Sequence, residues 1–121
     1  MLLTRWNYTK DEWNRFLQWK ARKKGILYFL AGKLIPWRRK IPEIRIMADR
    51  ISVNNSHEPF QNQLRQIREI QIREAGKMNI LEISYEQGKV IRGIRVPIPR
   101  GKLKEAFEVQ ERLTMAHPSV G

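Results

Sequence analysis

The stretch Val90–Ala106, VIRGIRVPIPRGKLKEA, predicts a strand, a basic turn and the start of an amphipathic helix. Apolar residues recur at every second position up to Ile98, with one interruption, which is typical of a half-buried strand. Pro97 and Pro99 have no amide hydrogen, so they suit the end or the edge of a sheet better than its centre. A last strand that leads into a closing C-terminal helix describes a fold class and does not specify an activity.

Two helices are predicted, one near each end of the chain. Thr9 and Glu12 have the spacing of a capping box, and Gly25 is typical of the position after a helix C-terminus, so an N-terminal helix is assigned to 10–24. The C-terminal helix is assigned to 102–115, where apolar residues recur at a period near 3.6. Its predicted buried face carries Leu103, Ala106, Phe107 and Leu113.

The chain between the helices, 26–98, predicts antiparallel sheet. Short alternating segments lie about 8–12 residues apart and are separated by turn signals such as Asn54-Asn55-Ser56 and Gln87-Gly88. This spacing is typical of an all-β barrel or sandwich.

Two segments carry no strand signal. His57–Arg68 is the least regular part of the central region, and the three-residue spacing of Leu64 and Ile67 predicts a helical turn there. The tail 117–121 is expected to be frayed.

The order of these elements resembles that of a bacterial pleckstrin-homology-like (PH-like) domain. The stretch IPEIRIMADRISVN looks like its paired early strands, and IREIQIREAGKMNILEISYE looks like its central hairpin. RGIRVPIPRGKLKEAFEVQERL looks like its last strand and capping helix, so the resemblance covers roughly residues 40–115.

The resemblance implies an α+β, mainly β, fold in one domain over residues 1–121. This fold would have the N-terminal helix, a bent antiparallel PH-like barrel or sandwich of six or seven strands, and the C-terminal helix as a cap. It implies no phosphoinositide site, because the Lys-loop-Arg-x-Arg signature is missing: Arg38-Arg39-Lys40 has the wrong spacing from Lys24.

Charge is the most unusual feature of the composition. The 121 residues include 24 Lys/Arg and 12 Asp/Glu, a net charge of +12. Residues 1–50 carry 13 of the basic residues and only 4 of the acidic ones. Such an excess favours a polyanionic partner, whether nucleic acid, an anionic bilayer or an acidic protein.

Several classes of protein are disfavoured by composition. The chain has no cysteine, which excludes a disulfide framework, a thiolate metal site and a cysteine nucleophile. The start MLLTRW has no apolar region of signal-peptide length, and no apolar run approaches the ~20 residues of a membrane span. We therefore predict a cytoplasmic protein that could be peripheral to the inner membrane.

Catalytic signals are also missing from the sequence. Of the two histidines, His57 precedes Glu58 and Pro59 in a pattern that favours a turn over an acid–base pair, and His117 lies in the tail. No P-loop, GxSxG or GxGxxG motif and no metal-ligand spacing occurs. We expect a protein that is not an enzyme and has no metal site and no cofactor.

The candidate anion-binding residues fall into three groups. The first basic cluster is Lys20, Arg22, Lys23 and Lys24; the second basic cluster is Arg38, Arg39 and Lys40; the basic turn is Arg100, Gly101 and Lys102. An antiparallel bend over 26–37 would bring the first two clusters together as one cationic patch, and without it they are separate solvated strand ends. Trp19 and Trp37 adjoin these two clusters and are the candidate aromatic contacts.

The basic turn is unusual because cations stand where a helix N-terminus favours acids. Either an external anion or acidic side chains elsewhere in the domain would compensate them. Taken together, these features predict a non-enzymatic PH-like binding module whose basic face meets an acidic protein or membrane headgroups. The alternative is a barrel that binds single-stranded nucleic acid through Trp and basic residues. Exposed strand edges also suggest a homodimer formed through an edge strand.

Overall fold

The computed structural model of the chain describes residues 2–21, 41–54 and 56–117. The fold of this part is mainly β, with two helices and two antiparallel sheets. In chain order the elements are β1 (Leu2–Trp6), α1 (Lys10–Ala21), β2 (Ile44–Met47), β3 (Arg50–Val53), β4 (Ser56–Pro59), β5 (Arg65–Ala75), β6 (Met78–Gln87), β7 (Val90–Ile98) and α2 (Leu103–Ala116).

The strands form a four-stranded sheet in the order β1-β2-β3-β4 and a three-stranded sheet in the order β5-β6-β7. All neighbouring strands are antiparallel. No strand pairing joins the two sheets among the described residues, so the predicted barrel is not closed there. Instead both sheets contribute to one hydrophobic core, which includes Ile46 and Ile51 from the first sheet and Ile67 and Ile83 from the second.

Two tight hairpins build the three-stranded sheet. Gly76 (φ +65°) joins β5 to β6 and Gly88 (φ +62°) joins β6 to β7, and this left-handed backbone is favoured by glycine. The β6–β7 register runs without a shift, whereas β5 contains a bulge between Ile67 and Glu69. β7 occupies the stretch that the alternation predicted.

Strand β1 was not predicted, and it means that α1 is not the first element of the chain. Thr4 and Trp6 of this strand are buried, and its pairing partner β2 begins only at Ile44. The five residues carry no turn signal and little alternation of apolar with polar side chains, so their strand character depends on a distant partner.

The expected helical turn in His57–Arg68 is wrong. This region contains β4, a short loop and the start of β5. The Asn62 side-chain oxygen accepts the backbone N–H groups of Leu64 and Arg65, both at 2.8 Å, which orders the loop without a helix. Leu64 is 73% exposed in this loop, so its spacing from Ile67 does not reflect a shared buried face.

Helix α1 begins with the predicted capping box. The Thr9 backbone N–H donates to Glu12 Oε1 at 2.8 Å, and the Glu12 backbone N–H donates to Thr9 Oγ1 at 3.2 Å. Tyr8, Trp13 and Phe16 then form a row of ring contacts with centroids 5.5 and 5.2 Å apart. The predicted end of this helix beyond Ala21 and the first part of the predicted sheet, 26–40, lie outside the described residues.

Helix α2 bridges the two sheets, but with a different buried face from the predicted one. It buries Ala106, Val109 and Leu113, whereas Leu103 and Phe107 are 39% and 52% exposed. The apolar period of 3.6 is compatible with either row of side chains, and the positions of β1 and β5 decide which row is covered.

The first residue of the predicted frayed tail is held in place. The backbone N–H of His117 donates to the Leu113 carbonyl at 3.1 Å, and its ring Nε2 lies 2.6 Å from the Ala48 carbonyl oxygen. His117 therefore connects the end of α2 to the turn between β2 and β3, and 118–121 lie outside the described residues.

Candidate functional site

Four of the ten candidate anion-binding residues are described by the structure: Lys20, Arg100, Gly101 and Lys102. The remaining six lie outside the described residues, as does the candidate aromatic contact Trp37; these six are Arg22, Lys23, Lys24, Arg38, Arg39 and Lys40. The described part of the candidate site therefore consists of α1, β7 and the basic turn.

The Lys20 side chain is buried in the protein. It is only 8% exposed, and its Nζ lies 4.6 Å from the centroid of the Phe16 ring. Burial lowers the pKa of Lys20 to about 7, and the positive charge of Arg95 acts in the same direction. Lys20 thus joins α1 to β7 and presents little surface to an external anion.

Arg95 is compensated by a buried carboxylate. Glu82 on β6 is 5% exposed, and its side-chain oxygens lie 2.6 Å from Arg95 Nε and 3.1 Å from Arg73 Nη2. This carboxylate therefore serves two guanidinium groups, one from each neighbouring strand.

The basic turn adopts a tight conformation whose backbone is already engaged. Gly101 has φ +82°, which favours glycine, and the Lys102 backbone N–H donates to the Pro99 carbonyl at 3.0 Å. The Arg100 backbone N–H donates to Glu12 Oε2 at 2.6 Å, and Lys102 Nζ lies 3.5 Å from a Glu105 oxygen. Carboxylates of the same chain thus face the turn, and the exposed side chain of Arg100 remains without an ion pair among the described residues.

These contacts favour the ionised form of the Glu12 carboxyl. Burial alone would raise the pKa of its carboxyl, but hydrogen bonds from the backbone N–H groups of Thr9 and Arg100 hold that pKa below its usual range. One carboxylate therefore caps α1 and also fixes the turn that follows β7.

The strand and turn around this site form a run of the sequence that is rich in basic residues. Lys89–Lys104, which we call the basic edge, contains six basic residues and no acidic one. Lys89 and Arg92 at its start are exposed and form no ion pair with another described residue. These basic residues are visible in the sequence, but which of their side chains are exposed depends on the position of β7 in the sheet.

Trp19 packs inside the domain. Its ring stacks on Phe16 at a centroid distance of 6.1 Å and an interplanar angle of 24°, and it contacts the hydrophobic core. The half-buried Trp19 ring thus has part of its aromatic surface committed to the protein.

The structure shows no arrangement typical of a catalytic site in its described part. A polar depression of about 320 Å³ lies beside the β6–β7 hairpin, and it is lined by Gln61, Asn62, Gln63, Leu64, Arg65, Gln66, Glu86 and Gly88. Its two charged side chains are already paired, Arg65 with Glu58 and Glu86 with Arg68. Among the described residues, no group of three or more His, Asp or Glu side chains could hold a metal ion, and no helix is long and apolar enough to cross a membrane.

Comparison of the chain with family models, with curated proteins and with solved structures found no match.

Proposed function

We propose that this chain is a non-enzymatic, PH-like binding module whose basic surface takes an acidic segment of a partner protein. The observation that carries the proposal is the basic edge, which contains six basic residues and no acidic one. Arg95 and Lys102 pair with Glu82 and Glu105, and the first half of β7 is exposed. Lys89, Arg92 and Lys104 are exposed and have no ion pair within the described ranges, so their charges are available to a partner, whereas the charge of Arg100 also acts on Glu12.

The PH-like part of the proposal is supported by the order of the sheets. Antiparallel strands in two sheets are followed by α2, and the resemblance implies antiparallel strands followed by a capping C-terminal helix. The Gln110 side chain donates to the Ile70 carbonyl at 2.9 Å, and the Trp6 indole donates to Glu105 at 3.1 Å. α2 therefore contacts β5 on one side and β1 on the other, as a helix that caps two sheets would.

Residues 22–40 add a second source of positive charge. This segment contains seven basic residues and no acidic one, including the first and second basic clusters apart from Lys20. It follows directly on α1, whose Lys20 lies next to Arg95 of the basic edge. By sequence alone, this segment contributes seven of the 24 basic residues that would attract an acidic partner.

An acidic protein is favoured over nucleic acid because of Trp19 and the edge strand. Trp19 has part of its ring stacked on Phe16, which leaves less of it for base stacking. Cations and exposed apolar side chains occur together on β7, and an extended peptide can meet both kinds of side chain.

Binding of three probes to the whole chain tests the proposal. The probes are a capped acidic peptide, a single-stranded oligonucleotide and vesicles containing phosphatidylserine, each titrated at two salt concentrations. The double variant Lys89→Glu/Arg92→Glu is compared with Lys77→Glu/Arg112→Glu, which changes the net charge equally at exposed positions away from the basic edge. We expect about a tenfold or greater loss of peptide affinity for the first variant alone. The proposal would be rejected if both variants lost peptide affinity equally, or if the original chain bound the oligonucleotide or the vesicles more strongly than the peptide.

A further inference from the structure

The outer edge of β7 carries hydrogen-bonding groups that point away from the sheet. Pro97 has no N–H, and its carbonyl oxygen accepts the Tyr8 hydroxyl at 2.8 Å, so the backbone groups of Pro97 face away from β6. In an antiparallel strand, the N–H and C=O of one residue point to the same side and successive residues alternate. The β6–β7 register has no shift, so the backbone groups of Ile91 and Gly93 face outward too.

These outward groups are open over the first half of β7. In the part of the chain that the structure describes, no hydrogen bond reaches the outward N–H or C=O of Ile91 or Gly93. Val90 and Ile91 are 50% and 66% exposed, and Gly93 has no side chain to obstruct an approaching backbone. Such an edge is a template for another strand.

Tyr8 and helix α1 lie against the other half of the same strand. The Tyr8 hydroxyl caps the strand at Pro97, and Lys20 lies beside Arg95. The open part of the edge is therefore bounded, and it extends over Val90–Ile94.

The charges around the open edge favour an acidic occupant. The nearest carboxylates on β6 are already paired, Glu86 with Arg68 and Glu82 with Arg95. Lys89 and Arg92 have no such partner in the described ranges, so the edge presents uncompensated positive charge next to exposed apolar side chains.

We propose that the open edge of β7 binds an extended acidic peptide segment, which joins the three-stranded sheet as a fourth strand beside β7. This inference rests on the proposed function and deepens it by naming the strand and the conformation of the partner. The backbone groups of Ile91 and Gly93 provide the hydrogen bonds, and Lys89 and Arg92 select for acidic side chains. A second copy of this chain fits less well, since its β7 brings the same cations to the same short ladder.

The first test separates backbone pairing from charge attraction. The probe is an eight-residue peptide that alternates Glu with Val and is blocked at both ends. Gly93→Pro removes an outward N–H that makes no bond to β6, as Pro97 does naturally, so we expect the fold to be kept and the affinity to fall about tenfold.

Gly93→Ala is the matched control, because alanine keeps the N–H. A Cβ at residue 93 would lie 3.6 Å from the nearest Glu82 oxygen, an ordinary contact, so this variant has room to fold. Its affinity is expected to remain within about twofold of the original chain, since no hydrogen bond is lost. Hydrogen exchange measured by NMR gives a second readout: peptide binding is expected to slow exchange of the Ile91 and Gly93 amides.

The outcomes distinguish this inference from the proposed function. If Arg92→Glu weakens peptide binding while Gly93→Pro and Gly93→Ala bind equally well, strand addition is rejected and the basic binding module stands. If none of the three variants weakens binding, both proposals are rejected. If the Ile91 and Gly93 amides are already protected without peptide and the chain sediments as a dimer, self-pairing replaces the acidic peptide.

Discussion

Glu12 shows how one side chain can connect distant parts of the chain. Its Oε1 accepts the Thr9 N–H within the capping box, and its Oε2 accepts the Arg100 N–H 88 residues further on. Both bonds are charge-assisted because the carboxylate is ionised. The start of α1 and the basic turn are therefore stabilised by the same group.

Replacing Glu12 by Gln is expected to lower the free energy of unfolding at pH 7 by about 1 kcal/mol. The folded-state pKa of Glu12 lies below its unfolded value, so its contribution is present above the ordinary glutamate range and is lost as the pH falls through the lowered folded-state pKa. Urea denaturation at several pH values should show that the difference in unfolding free energy between the original chain and Glu12→Gln becomes smaller as the pH falls. Asp11→Asn on the same exposed turn is the control, and an equal effect there would contradict the role given to Glu12.

Two buried tryptophans provide a matched pair for measuring an indole hydrogen bond. Trp6 and Trp13 are 1% and 5% exposed, but Trp6 donates to Glu105 at 3.1 Å, whereas Trp13 Nε1 has no hydrogen-bond partner in the described structure. Trp6→Phe should therefore destabilise the protein more than Trp13→Phe, by about 1–3 kcal/mol, because it leaves the Glu105 acceptor without this donor. Thermal and urea unfolding of both variants measures the difference. Equal losses of stability in Trp6→Phe and Trp13→Phe would mean that ring packing, and not the hydrogen bond, dominates at both positions.

At the scale of elements, the packing of α1 against β7 buries a basic side chain. Lys20 lies over the Phe16 ring and near Arg95, while the only carboxylate of this group, Glu82, already pairs with Arg95 and Arg73. Burial therefore disfavours the ammonium form of Lys20 in the folded protein, and we expect the packing of α1 against β7 to depend on pH.

Replacing Lys20 by Met is expected to raise the free energy of unfolding at pH 7 by about 1–3 kcal/mol, since it removes a poorly compensated buried group. The folded-state pKa of about 7 lies below the unfolded value, so between pH 7 and the ordinary lysine range the unfolded chain holds a proton that the folded chain lacks. The stability of the original chain should rise with pH across this window and be constant below it. The gain in Lys20→Met should shrink over the same window.

Chemical denaturation from pH 6 to pH 10 measures this dependence. Lys10→Met, an exposed position on the same helix, is the control and should leave the pH profile unchanged. Parallel stability curves for Lys20→Met and the original chain would contradict the buried position of the amine.

The elements differ in how far the sequence could predict them, and the reason is the range of the interactions. The capping box at Thr9 and the hairpins at Gly76 and Gly88 depend on neighbouring residues, so their sequence signals were sufficient. Strand β1 depends on pairing with β2, some forty residues later, and the buried face of α2 depends on the positions of β1 and β5. The positive charge of the candidate site could be predicted, because the basic residues of 89–104 are visible in the sequence. The outward backbone groups of β7 could not, because they are inferred from the direction of the Pro97 carbonyl in the structure.

At the scale of the whole molecule, the same positive charge that attracts an acidic partner keeps copies of the chain apart. An antiparallel pairing in which Ile91 bonds to Gly93 of a second copy would place the two Arg92 side chains opposite each other. Repulsion of this kind protects an exposed strand edge from self-pairing.

Salt should therefore change the two kinds of association in opposite directions. Raising the ionic strength from 0.1 M to 1 M shortens the screening length from about 10 Å to about 3 Å. Peptide affinity should fall, and self-association measured by analytical ultracentrifugation should increase. Arg92→Gln should self-associate at lower salt than the original chain, with Arg112→Gln as the control. If the sedimenting mass of both variants did not change with salt, charge would not be what protects this edge from self-pairing.

Glu105 has a consequence for the order in which the protein is completed during synthesis. It accepts hydrogen bonds from Thr4 and Trp6, which leave the ribosome about one hundred residues earlier. Closing so large a loop is entropically costly, so we expect this contact to form late in folding. Strand β1 therefore gains these bonds only once α2 has been made, and a nascent chain that stalls before residue 105 leaves the Trp6 indole without its acceptor.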